Sequence, residues 1–89
     1  MATKELMDEI RVELERAQEL FAPMANLHEG YAVLLEEVDE FWEHVKVNQK
    51  KRDYAVIRKE LIQVAAMSAR CIVDCIDRLG GSAPAGKEE

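Results

Sequence analysis

Leu34-Leu35-Glu36-Glu37-Val38-Asp39-Glu40-Phe41-Trp42 is the stretch on which the reading of this chain turns. On a helix advancing about 100° per residue, Glu37 and Glu40 stand on one side a turn apart, and Glu36 meets Glu40 at the four-residue spacing. Like charges stacked in this way cost about 0.2–0.5 kcal/mol per pair unless a cation lies between them. A hard divalent cation such as Mg²⁺ takes carboxylate oxygens by preference. With a further acid, Glu60, one helix away, the stretch is a candidate metal site.

Working outward, Leu27, Tyr31, Leu34, Val38, Phe41, Trp42 and Val45 fall on one broad apolar arc of a helix running from Leu27 to about Val47. Asn26 is placed to cap it, with Glu29 reaching back as in a capping box. Tyr31 and Trp42 fall toward the centre of the arc and are expected in the core. Glu37 projects at the margin of the arc beside Val33 and Phe41, with Glu40 and His44 on its side, whereas Asp39 and Glu43 face water. Ionisable groups at the edge of an apolar face cost desolvation unless paired or coordinated.

Upstream, Leu6, Ile10, Leu14, Ala17 and Leu20 or Phe21 recur every three to four residues. They predict an amphipathic helix from Thr3, a candidate N-cap, to about Phe21, stopped by Pro23. Downstream, residues 48–53 form a polar, basic turn and Asp53 can cap a third helix. That helix is expected from Tyr54 to about Leu79, closed by Gly80-Gly81. Its apolar arc is over-wide: Ile62, Ala66, Ala69 and Val73 extend it beyond what one subunit can cover, so a contact with a symmetry mate is expected there. The remaining side carries Glu60, Gln63, Met67 and Asp74, with Arg70 beside them. Asp74 is about 21 Å along the axis from Glu60, too far to share a metal with it.

The expected fold is therefore all-α: a three-helix subunit with antiparallel long helices, assembled into an oligomeric bundle. One domain spans residues 1–80, and 81–89 form a flexible tail. A chain of 89 residues buries little of its surface alone, which favours a homodimer or homotetramer. Its formal charge of −6, from 18 acids against 12 lysines and arginines, speaks against a phosphate-backbone partner such as nucleic acid. No apolar run approaches the roughly 20 residues of a membrane span, and the N-terminus lacks a signal peptide's apolar region. A soluble cytoplasmic chain is expected. Cys71 and Cys75, four apart in a helical segment with no histidine nearby, read as reduced core residues rather than a disulfide framework or a zinc site.

The pattern EExxE at residues 36–40, a spacer of about twenty residues, and then Glu60 and Gln63 resembles the MazG-like all-α nucleoside triphosphate pyrophosphohydrolases. Their motif is EExxE followed by ExxD on the next helix. The runs His28-Glu29-Gly30-Tyr31 and Glu60-Leu61-Ile62-Gln63-Val64-Ala65-Ala66 also look like members of that family, and the resemblance covers roughly residues 25–79. It implies that Glu37, Glu40 and Glu60 hold Mg²⁺, with Mn²⁺ as a substitute. It further implies that Glu36 helps hold a metal or positions the attacking water, and that a nucleoside triphosphate is cleaved to monophosphate and pyrophosphate. Gln63 stands where the family has Asp, and a neutral amide weakens the site electrostatically. The alternative is a non-catalytic oligomerisation or regulatory module that retains the fold. Lys50, Lys51, Arg52 and Lys59 are candidate donors to a triphosphate, or a solvated basic surface; His44 is a candidate at the site's edge, or a rim histidine. A di-iron carboxylate bundle is set aside, because neither His28 nor His44 follows a Glu by three residues.

Overall fold

A computed structural model describes residues 2–79, which are all-helical with no strand. Helix α1 spans Thr3–Leu20, α2 Leu27–Val45 and α3 Tyr54–Cys71. A 3₁₀ turn, Gln49–Lys51, precedes α3, and a π turn, Ile72–Asp77, continues it. The Gly80-Gly81 stop and the 81–89 tail lie outside the described residues. No helix among the described residues is long and apolar enough to cross a membrane.

The helix boundaries have local causes. Asn26 Oδ1 accepts from the Glu29 N–H at 2.9 Å, and the Glu29 carboxylate accepts from the Ala25 N–H, so two otherwise orphaned donors are satisfied. Asp53 Oδ1 accepts from the Ala55 and Val56 N–H groups and starts α3. At α1 the expected cap is displaced by one residue. Ala2 takes the N-cap position, Thr3 is already helical, and the Ala2 N–H donates to Glu5 Oε1 at 2.9 Å. The Glu5 carboxylate thus satisfies the N–H of the cap residue, while alanine offers no side-chain acceptor to the first turn.

Helix α3 packs against both α1 and α2. Ala17 of α1 meets Ala66 and Met67 of α3 in the core, flanked by Ile10, Leu14, Val33 and Leu34. Ala66, expected at an interface between copies, is fully buried in its own subunit. The opposite correction applies to α2: Tyr31 and Trp42 are 66% and 53% exposed, along with Leu27 and Val38. With only two other helices to cover it, the broad arc of α2 buries one margin and leaves the centre open.

The α1–α2 linker is held from the far end of the chain. Met24, 1% exposed, plugs the core, which contributes about 1.5–3 kcal/mol. Its N–H donates to Asp74 Oδ2 at 2.9 Å, and its carbonyl accepts from Arg78. Arg70 donates to the Ala22 carbonyl at 2.8 Å, lies 3.6 Å from Asp74 and stacks over the Phe21 ring. Arg70 and Asp74 are buried, and a buried pair persists only when backbone hydrogen bonds offset its desolvation. The π turn was not expected from the apolar periodicity; it carries Asp74 and Cys75 into the interior. A bidentate pair, Arg58 to Glu9 at 2.7 and 2.9 Å, ties α3 to α1 and holds the Glu9 carboxyl below its ordinary range.

Candidate metal centre

Glu37 and Glu40 come from α2, one turn apart, and Glu60 comes from the second turn of α3. One carboxylate oxygen from each lies within 4.8 Å of the others. Glu37 and Glu60 are half-buried and Glu40 is exposed. The crowding is visible in their protonation. Burial, then the charges of Glu40, Glu60, Glu36 and Glu13, push the Glu37 carboxyl above its ordinary range. Glu40 is pushed up by burial, by a hydrogen bond shared with Glu60 and by the Glu60 charge, with His44 acting in the opposite sense.

Glu60 Oε1 is buried and has no hydrogen-bond partner among the described residues. A buried carboxylate oxygen left in that state carries a penalty that either a proton or a cation removes. Three hard oxygen donors with one orphaned acceptor suit Mg²⁺ or Mn²⁺, which take oxygen ligands and keep some of their waters.

The acids line a hollow of about 670 Å³, within the range of small-molecule sites. Glu36 is exposed on its rim and Gln63 is half-buried in its wall. Two arginines, Arg16 of α1 and Arg70 of α3, also line it. Arg16 is exposed and pairs with Glu13 at 3.0 Å. Neither arginine was singled out for the site from sequence. Arg70 lies on the stripe that continues from Glu60 through Gln63 and Met67 and was within reach of the periodicity; Arg16 belongs to another helix, whose placement no spacing reveals.

The other candidates are scattered. His44 is half-buried a turn beyond Glu40 and touches the site through its charge. Lys59 lines a separate, smaller hollow of about 390 Å³ between α1 and α3, with Val12 and Ile62 on its walls. Gln63 and Glu13 border both hollows. Lys50 and Lys51 are exposed on the 3₁₀ turn, and Arg52 donates to the Val45 carbonyl at 2.7 Å, closing the end of α2. None of these three lines either hollow.

Comparison with protein families, with curated proteins and with solved structures finds no match to this chain.

Proposed function

We propose that this chain is a Mg²⁺-dependent nucleoside triphosphate pyrophosphohydrolase of the MazG-like kind, acting on soluble nucleotides in the cytoplasm. The observation that carries the proposal is the convergence of Glu37, Glu40 and Glu60, with Glu60 Oε1 unpartnered among the described residues, in a hollow that Arg16 and Arg70 also line. These carboxylates would hold Mg²⁺, or Mn²⁺ in its place, which would supply charge neutralisation at the phosphate oxygens. Glu36, exposed on the rim, accepts the proton of the attacking water. Gln63 offers its amide carbonyl where the family has a carboxylate. Arg16 donates to the phosphate tail, a role for which Lys50, Lys51 and Arg52 are badly placed and from which Arg70 is withheld by its bonds to Ala22 and Asp74.

In this reading α2 and α3 run antiparallel, and subunits assemble as a homodimer or homotetramer. The exposed Leu27, Tyr31, Val38 and Trp42 of α2 favour an interface on that helix beside the expected one on α3, which loses Ala66 to the core but keeps Val73 exposed and Ile62 and Ala69 half-buried. One observation favours a second reading: Gln63 leaves three carboxylates where the family has four, as in an oligomerisation module with a weakened metal site. A pyrophosphate-release screen over the common ribo- and deoxynucleoside triphosphates, with and without Mg²⁺, separates the two. Metal-dependent pyrophosphate release that Glu37→Gln abolishes supports the enzyme. Absence of release from every nucleotide, by a chain that still self-associates, supports the module.

A further inference from the structure

Cys71 and Cys75 take no part in the acid site, yet their placement is specific. Cys71 is the last residue of α3, and Cys75 lies four residues on, inside the π turn. Side chains four apart on an α-helix have Cβ atoms about 5–6 Å apart, whereas a disulfide needs about 3.5–4.5 Å. A regular helix therefore holds such a pair apart. Here the α register is interrupted between them by a π turn, a feature that recurs at functional sites. Both cysteines are free thiols, Cys75 buried and Cys71 half-buried. The Cys71 sulfur occupies a notch in α2: a Cβ on Gly30 would lie 2.5 Å from it.

We propose that Cys71 and Cys75 form a reversible dithiol–disulfide pair oxidised by hydroperoxides, independent of the metal centre. Cys71, the less buried of the two residues, attacks as the thiolate; an S–O bond forms, the O–O bond breaks, and the departing oxygen takes up a proton. The Cys75 sulfur, its proton released to water, then attacks the Cys71 sulfur, and hydroxide leaves and is protonated. Two thiols lose two electrons and two protons, and the hydroperoxide becomes water and an alcohol, or two waters from hydrogen peroxide. Burial, with the adjacent Cys71 and Asp74, pushes the Cys75 thiol up, which keeps it from competing for the oxidant. Bridging draws the Cys71 sulfur out of the Gly30 notch and pulls on Asp74, which lies between the two cysteines and holds the Met24 N–H. The redox state of the pair is thereby coupled to the linker between α1 and α2.

The test exposes the folded full-length chain to hydrogen peroxide at neutral pH and follows intact mass, free thiols and the helical circular-dichroism signal. The expected result is a chain lighter by two hydrogen atoms and not cross-linked to another, with both thiols lost, the helical signal kept, and full reversal by dithiothreitol. Cys75→Ser should stop at a sulfenic acid on Cys71 that dimedone traps, and Cys71→Ser should react far more slowly at its remaining thiol. Oxygen addition without loss of hydrogen, disulfides only between chains, equal reactivity of the two single variants, helix loss preceding the bridge, or no reaction would each overturn the proposal.

Discussion

Replacing Glu37 with glutamine should raise stability without metal and lower it with metal, and that crossing is the signature of a cation site built from mutually repelling carboxylates. At 4.8 Å, the limit of the separation among the three acids, a pair of unit charges repels by about 0.9 kcal/mol in water and about 3.5 kcal/mol at an effective dielectric constant near 20. Glu37 is half-buried and Glu40 exposed, so screening sets each pair near the low figure, about 1 kcal/mol. Glu37 meets two such partners, and its loss removes about 2 kcal/mol of repulsion. For a domain of this size that corresponds to a rise in melting temperature of about 8 °C or more. Mg²⁺ at a hundred times its dissociation constant stabilises the unmodified chain by about 2.7 kcal/mol, a gain the variant should lose.

The same reasoning has a pH signature. Glu37 and Glu40 are raised in the folded chain, so the stability they contribute is present below about pH 4.3, the unfolded value, and is lost as pH rises through their folded values. Glu9, lowered by Arg58, acts in the opposite sense, its contribution being lost as pH falls. Glu9 is common to both proteins and cancels in the difference between unmodified chain and Glu37→Gln. Urea denaturation in a chelator and in Mg²⁺, at several pH values, measures all of this. A variant less stable than the unmodified chain in chelator, or one that keeps the full Mg²⁺-induced gain, would refute the reasoning.

Arg70→Ala should cost about 3–5 kcal/mol, because it leaves Asp74 buried without its cation; urea midpoints, or loss of the helical signal altogether, will show it. Gly30→Ala puts a methyl 2.5 Å from the Cys71 sulfur and should destabilise by about 1–3 kcal/mol, as overpacking does. Adding Cys71→Ala should recover most of that loss in a double-mutant cycle, and recovery of none would show that the notch is not what the thiol fills. Trp42→Glu together with Tyr31→Glu should reduce the assembly to the 10.1 kDa subunit in sedimentation equilibrium, with melting of the isolated subunit otherwise retained; unchanged assembly mass would remove α2 from the interface.

What was legible in the chain was whatever a single helix states about itself. Asn26, Asp53 and Pro23 mark boundaries through their own backbone chemistry, and EExxE declares a strained face because like charges at helical spacing need a reason to be there. Glu60 joined them because a short turn leaves few ways to fold α3 back on α2. Other assignments depend on which part of a wide apolar arc a neighbouring helix covers. Tyr31 and Ala66 are equally plausible core residues on their own helices, and α1 settles the matter by packing Ala17 against Ala66 and leaving Tyr31 exposed. The π turn is hidden for a different reason: at the register of an unbroken helix Asp74 continues the stripe of Glu60, Gln63 and Met67, and nothing in that spacing reveals that it leaves the α register to take the Met24 N–H and hold Arg70. Arg70 lines the same hollow as the acids. The least legible segment of the chain thus holds one of the two arginines that border the candidate site, whereas its acids can be read directly from residues 36–40 and 60.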